Sequence, residues 1–162
     1  MKHVVIGMGA VGSLIGGLLS KSGTNVELIG KKIQVEQISN KGIRINGIKG
    51  SIIVEKINVS DDISHVKDAD IVIVCVKSQD TQALANDIKK FIKKTAIIIS
   101  LQNGIENSKI LEDTTGNKTY SGVILFNALY SKPGEVELTL EGGIIIEKDD
   151  NSIEKLKFFS RL

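Results

Sequence analysis

Apolar positions in this chain fall into short runs, and glycines end most of them. His3-Val4-Val5-Ile6 reads as a strand that Gly7 stops. From Ala10 to Ser22 the apolar residues Val11, Leu14, Ile15, Leu18 and Leu19 recur at helical spacing, and Gly23 supplies a C-terminal stop. Val26 to Ile29 is a second strand, ended by Gly30. A first strand–helix–strand unit is therefore complete by about Ile29.

The stretch from Gly42 to Glu55 has another rhythm. Ile43-Arg44-Ile45 alternates, Asn46-Gly47 is a turn pair, and Ile52-Ile53-Val54 follows, which predicts a hairpin on the edge of the main sheet. The run within Asp70 to Val76 is continuously apolar, as in a parallel strand covered on both faces. Thr81 to Lys93 is an amphipathic helix with Leu84, Ile88, Phe91 and Ile92 on one side. Ala96 to Leu101 is another buried strand, and Glu106 to Leu111 a short helix. After Gly122 the alternation of helix and strand is lost. Val123 to Tyr130, Gly134 to Leu140 and Gly143 to Glu147 read as consecutive strands, punctuated by Pro133-Gly134 and Gly142-Gly143. Asn151 to Leu162 opens a helix with Ile153, Leu156 and Phe159 on one face and no C-terminal capping signal.

Composition narrows the partners. The 162 residues are 41% hydrophobic and 25% charged, with a formal net charge of +2. That charge is too small to argue for a nucleic acid or an anionic membrane. With one cysteine, Cys75, no internal disulfide can form, and its place in an apolar run marks it as a core residue rather than a reactive thiol. No signal peptide or membrane-spanning run is visible, so a soluble cytoplasmic protein is expected. His3 and His65 lack any second ligand pattern, so no metal site is expected.

Gly7-Met8-Gly9-Ala10-Val11-Gly12 matches G-x-G-x-x-G between a predicted strand and a predicted helix, the context that gives the motif meaning. Gly7 permits the tight turn, Gly9 lets the backbone approach a pyrophosphate, and Gly12 lets the helix pack on the strand. The anion would sit on free N–H groups at the helix start. A bare strand-to-helix turn is the plainer alternative. NAD-binding domains place Asp or Glu at the end of the second strand to bond the ribose 2′-hydroxyl. Here Gly30-Lys31-Lys32 stands instead, which favours the 2′-phosphate of NADP unless the lysines are simply solvated.

Ligands of open parallel sheets bind at the carboxyl ends of the strands. Two polar clusters fall there, Lys77-Ser78-Gln79-Asp80-Thr81 and Gln102-Asn103-Gly104. Lys77 could bring a cation to a pyrophosphate or a reacting carbonyl, and Asn103 amide hydrogen bonds to cofactor or substrate. An exposed lysine and a turn pair are the ordinary alternatives. Together these patterns predict an α/β fold, a Rossmann-type doubly wound parallel sheet with a strand-rich C-terminal extension, as one dinucleotide-binding domain over residues 1–162.

The chain resembles the N-terminal, NADP-binding domain of the ketopantoate reductase (2-dehydropantoate 2-reductase) family. The resemblance rests on the glycine hexamer, on Val76-Lys77-Ser78-Gln79-Asp80-Thr81, on Leu101-Gln102-Asn103-Gly104-Ile105, and on the tail from Gly122 through Pro133-Gly134 to Glu141-Gly142-Gly143. It implies NADPH-dependent reduction of a 2-keto acid on the route to pantothenate. It also implies cofactor contacts from Gly7, Met8, Gly9, Ala10, Val11, Gly12, Lys31, Lys77, Asn103 and Ala128, with Asn103 also touching substrate. Lys31 stands where the family often has arginine, keeping the charge without the planar fork. The family's catalytic lysine lies in a second, helical domain beyond this pattern, so the expectation is a truncated chain that binds cofactor without turnover. Its last helix would leave an apolar face open to self-association as a homodimer. A regulatory sensor module and a reductase of another 2-keto acid are the competing readings.

Overall fold

The computed structural model describes residues 1–47, 50–104 and 106–147. In chain order the elements are β1 (His3–Ile6), α1 (Ala10–Lys21), β2 (Val26–Ile29), α2 (Lys32–Lys41), β3 (Ile43–Gly47), β4 (Gly50–Val54) and β5 (Asn58–Ser60). There follow β6 (Ile71–Val74), α3 (Thr81–Ile88), β7 (Ile97–Ser100), α4 (Glu106–Thr115), β8 (Thr119–Ile124), β9 (Asn127–Lys132), β10 (Glu135–Leu140) and β11 (Ile144–Ile146). Short 3-10 turns cover Ile63–Asp68 and Ser78–Asp80.

Seven strands form the main sheet in the order β11-β8-β7-β6-β1-β2-β5. All neighbours are parallel except β11, which runs antiparallel to β8. Period-two alternation sends the strands' side chains into two cores. Val5, Ile71, Ile73, Ile97 and Ile99 join Leu14, Ile15 and Leu19 of α1 on one face. Val4, Ile6, Val72, Val74 and Ile98 join Ala85, Ile88 and Leu111 of α3 and α4 on the other. Apolar runs in β1, β6 and β7 are thus explained by burial on both faces.

The hairpin is present, with Ile45 opposite Ile52, but it is not on the edge of the main sheet. It belongs to a separate four-stranded sheet, β4-β3-β10-β9, in which β3 pairs parallel with β10 and Ile45 lies opposite Val136. Helix α1 fills the space between the two sheets. A Cβ on Gly16 would lie 2.6 Å from the Leu28 side chain of the main sheet, and one on Gly17 3.0 Å from Ile45 of the second. The side chains of Ile43, Ile45 and Val136 consequently enter the same core as β1 and α1.

Other boundaries shift. Residues 123–130 do not make one strand, since β8 ends at Ile124 and β9 starts at Asn127. Helix α3 stops at Ile88, leaving Phe91 exposed, whereas α4 continues to Thr115. The helix expected from Asn151, with Ile153, Leu156 and Phe159, lies outside the described residues. Among the described residues no helix is long and apolar enough to cross a membrane.

At the amino ends of the strands, Asp70 accepts hydrogen bonds from Lys93 Nζ at 2.5 Å and from the Lys2 backbone N–H at 2.7 Å. The Lys93 bond first, and then the Lys2 N–H, hold its carboxyl below the usual carboxylate range. A depressed folded-state pKa stabilises the fold above the unfolded value, near 3.9, and that stability is lost as pH falls through the folded value. The Asp70 side chain is 37% exposed, so the magnitude is that of a surface pair. Asp70→Asn is expected to lose about 0.5 kcal/mol at neutral pH in urea unfolding, and the difference from wild type should shrink as pH falls below the unfolded value and vanish once the folded carboxyl is protonated. A difference independent of pH would show that the charge is not responsible.

Candidate functional site

The order β6-β1-β2 places a topological switch beside β1, because the chain winds outward through β2 and returns to the other side at β6. The loops after β1 and β6 then diverge and leave a crevice above the strand ends. Gly7 turns the chain there at φ +101°, a left-handed conformation suited to glycine. A Cβ at this position would also lie 2.8 Å from the Val76 nitrogen. Gly12, one turn into α1, sits directly on the Gly7 carbonyl, with the Cys75 Cβ 3.3 Å from where its own Cβ would be. Cys75 is half-buried against the core rather than fully inside it, and desolvation pushes its thiol up to about 12, which keeps it neutral.

Gly9 differs from both. It caps α1 at φ −79°, ψ −162°, which any residue adopts, and no heavy atom lies within 4 Å of a Cβ built on it. Nothing in the described chain requires a glycine at this point. Ser13 N–H donates to Gly9 O at 2.9 Å and opens the helical ladder. The amides of Ala10, Val11 and Gly12 therefore precede the first i−4 bond, and the first turn carries no acidic residue. Met8 buries its side chain, 1% exposed, so it presents only backbone to the crevice.

Lys31 follows β2 and caps α2, and Lys32 begins that helix. Both are exposed. The sequence pattern missed α2, because only Ile38 in it is buried and no apolar stripe shows. It also missed Gln34, three residues after Lys31, where a capping-box residue belongs. The Gln34 Oε1 accepts the Lys31 N–H at 3.0 Å, while Nε2 donates to Met8 O at 2.8 Å and to the Tyr130 hydroxyl at 3.1 Å. One amide thus joins the lysine loop, the glycine turn and β9. Ser13 Oγ donates to the same Met8 oxygen at 3.1 Å from below. Ala128 lies two residues before Tyr130 on β9, hence on the same strand face, and is half-buried against the core.

Lys77 and Asn103 are both exposed, after β6 and β7 respectively. The two loops are bonded together. Ser78 Oγ donates to Asn103 O at 3.1 Å, and Asn107 Nδ2 to the same oxygen at 2.7 Å and to Ser78 Oγ at 3.0 Å. Beneath them Thr81 and Gln102 are buried. Gln102 Nε2 donates to Val76 O at 3.0 Å and to Thr81 Oγ1 at 2.7 Å, and Thr81 Oγ1 donates to Asn107 Oδ1 at 2.9 Å. Lys31, Lys32 and Lys77 have no ion-pair partner among the described residues.

Glycine turn, Lys31, Lys77 and Asn103 all lie at the carboxyl ends of adjacent parallel strands, as their positions in the sequence predict. A groove of about 590 Å³ between α2 and the second sheet, lined by Ile33, Lys41, Arg44 and Lys132 among others, shares none of these residues. Among the described residues no cluster of three metal-ligating side chains occurs.

This arrangement defines a Rossmann-type α/β domain whose strand ends present a glycine turn, lysines and an asparagine. Comparison with known proteins agrees with it. Residues 3–151 match the family described as ketopantoate reductase PanE/ApbA, and the chain belongs to that family. A 2-dehydropantoate 2-reductase of Pyrococcus abyssi is 36% identical over 148 residues, which is 90% of this chain and 47% of that protein. One from Halobacterium salinarum is 35% identical, over 84% of this chain and 45% of its own length. The chain thus spans about half the length of the curated relatives it matches. The crystal structure of a PanE/ApbA family ketopantoate reductase from Ralstonia eutropha superposes with a TM-score of 0.92 at 33% identity, covering 99% of this chain and 54% of that one. A D-mandelate dehydrogenase solved with NADH and anilino(oxo)acetate gives 0.81 at 29% identity, covering 99% and 54%.

Proposed function

We propose that these residues bind NADPH and serve the reduction of a 2-keto acid, with ketopantoate as the first candidate. The observation that carries the reading is Gly9. It is a glycine with open space where its Cβ would be and with ordinary backbone angles, so the pressure for a bare backbone comes from outside the chain. A pyrophosphate lying over that carbon and bonded by the first amides of α1 supplies the reason.

When bound, the reduced nicotinamide supplies the hydride. The chain's own residues bind and orient. The glycine turn and the start of α1 hold the pyrophosphate, Lys31 and Lys32 meet the 2′-phosphate, and Gln34 fixes the Lys31 backbone against the turn. Lys77 and Asn103 face the other half of the dinucleotide, with Asn103 placed to bond the nicotinamide or the keto acid. Ala128 belongs to the wall on the β9 side.

Titration of the purified chain with NADPH and NADH, followed by nicotinamide fluorescence, tests this directly. Lys31→Ala is expected to weaken NADPH by about 1–3 kcal/mol, as for a charge-assisted hydrogen bond, and to leave NADH nearly unchanged. Equal losses would remove Lys31 from the 2′-phosphate. A second reading, NADH with an aryl 2-keto acid, is favoured by the likeness to D-mandelate dehydrogenase. Tighter binding of NADH than NADPH by the wild type would select it.

A further inference from the structure

We propose that Asn107 is a positioning residue that sets the separation of the Lys77 and Asn103 loops at the nicotinamide end of the site. The inference rests on the dinucleotide reading above and goes beyond it by naming what holds those two loops in register.

Asn107 lies in the first turn of α4, 5% exposed. A residue that only stitched the helix to its own loop would need one bond, and Asn103 O accepts that bond from Nδ2 at 2.7 Å. The amide does more. Its Nδ2 also reaches Ser78 Oγ at 3.0 Å, and its Oδ1 accepts the Thr81 hydroxyl at 2.9 Å. Both partners belong to the segment after β6, 29 and 26 residues away. One loop carries Lys77, adjacent to Ser78, and the other carries Asn103.

The donors run in one direction. Ser100 Oγ donates to Gln102 Oε1, Gln102 Nε2 to Thr81 Oγ1, Thr81 Oγ1 to Asn107 Oδ1, and Asn107 Nδ2 to Ser78 and Asn103. Each buried group is satisfied, and reversing any one amide would set two acceptors or two donors face to face. Two donors on the Asn103 carbonyl fix the plane of its following peptide, and so the base from which the Asn103 side chain projects. A carboxylate of the same size would keep the Thr81 bond and oppose the Asn103 carbonyl with an oxygen. Asn107→Asp therefore pushes the loops apart while preserving volume, whereas Asn107→Ala unties them.

The test compares two ligands on the same chain. Adenosine 2′,5′-bisphosphate fills the adenosine half and reaches the glycine turn and Lys31, while NADPH also reaches Lys77 and Asn103. Both are anions, so a simple charge effect of Asp moves both. Asn107→Ala and Asn107→Asp are expected to weaken NADPH about tenfold or more, the loss of one or two buried hydrogen bonds. Binding of the bisphosphate should stay within about twofold of wild type. Ser78→Ala, at an exposed position that does not endanger folding, should weaken NADPH about threefold with the same selectivity, and it decides the matter alone if the Asn107 variants do not fold. Parallel losses for both ligands, or no loss of NADPH affinity, overturn the positioning role while the dinucleotide reading stands. If wild type binds neither ligand, that reading fails and the inference with it.

Discussion

Gly12→Ala is expected to lower the midpoint of thermal unfolding by about 4–8 °C, by circular dichroism. One effect favours the alanine, a gain of about 1 kcal/mol in helix propensity that arises chiefly from the narrower unfolded chain. Against it stands the Gly7 carbonyl, on which the new methyl lands, with the carbonyl carbon 3.0 Å away. Both colliding partners are rigid main chain, so no rotamer relieves the overlap. Either α1 lifts from β1 or the turn opens, at about 3 kcal/mol or more, and the clash wins. Gly16→Ala is the internal comparison. Its methyl meets the Leu28 side chain at 2.6 Å, an obstacle of side-chain rather than main-chain atoms, so its loss should be smaller. A Gly12→Ala protein that melts at or above the wild-type temperature would show that the helix does not sit on the turn.

Gly9→Ala, three residues away, is expected to do the reverse. Alanine is a poorer N-cap than glycine, but it restricts the unfolded chain, and the two effects nearly cancel within about 1 kcal/mol. The methyl has no protein neighbour to strike. It occupies the surface that the pyrophosphate would approach, where overpacking costs about 1–3 kcal/mol, or roughly fivefold to 150-fold in Kd. Scanning fluorimetry and NADPH titration on one preparation separate the two quantities. Unchanged affinity would mean that the open face of Gly9 is not the pyrophosphate seat.

The parts of the molecule legible in the sequence are those whose cause is local. β1, β6 and β7 announce themselves because burial on two faces demands unbroken apolar runs. The glycine turn is legible because its steric needs repeat in one hexamer. Lys77 and Asn103 follow from the strands before them. Helix α2 was not legible, since nine of its ten residues are not buried and its start depends on the Gln34 side chain. The partner sheet of the hairpin was invisible for a different reason. Alternation identifies a strand but does not say which strand it pairs with, and the partner of Ile45 is Val136. Nothing in the sequence sets Asn107 apart from an ordinary helical polar residue, because its meaning lies in Ser78 and Thr81 of the neighbouring loop.

The pairing of Ile45 with Val136, and the bond from Gln34 to Tyr130 across 96 residues, also bear on the order of folding. A nascent chain can wind β1, α1 and β2 early, from local contacts that close quickly. The second sheet must wait for β9 and β10, and it closes one of the longest loops in the molecule. The lysine loop and glycine turn are thus braced by Tyr130 of β9, a strand that arrives long after them. If a dinucleotide seats on that turn as proposed, its binding reports completion of the fold rather than its onset, and it acts as a latch on contacts of the highest sequence separation.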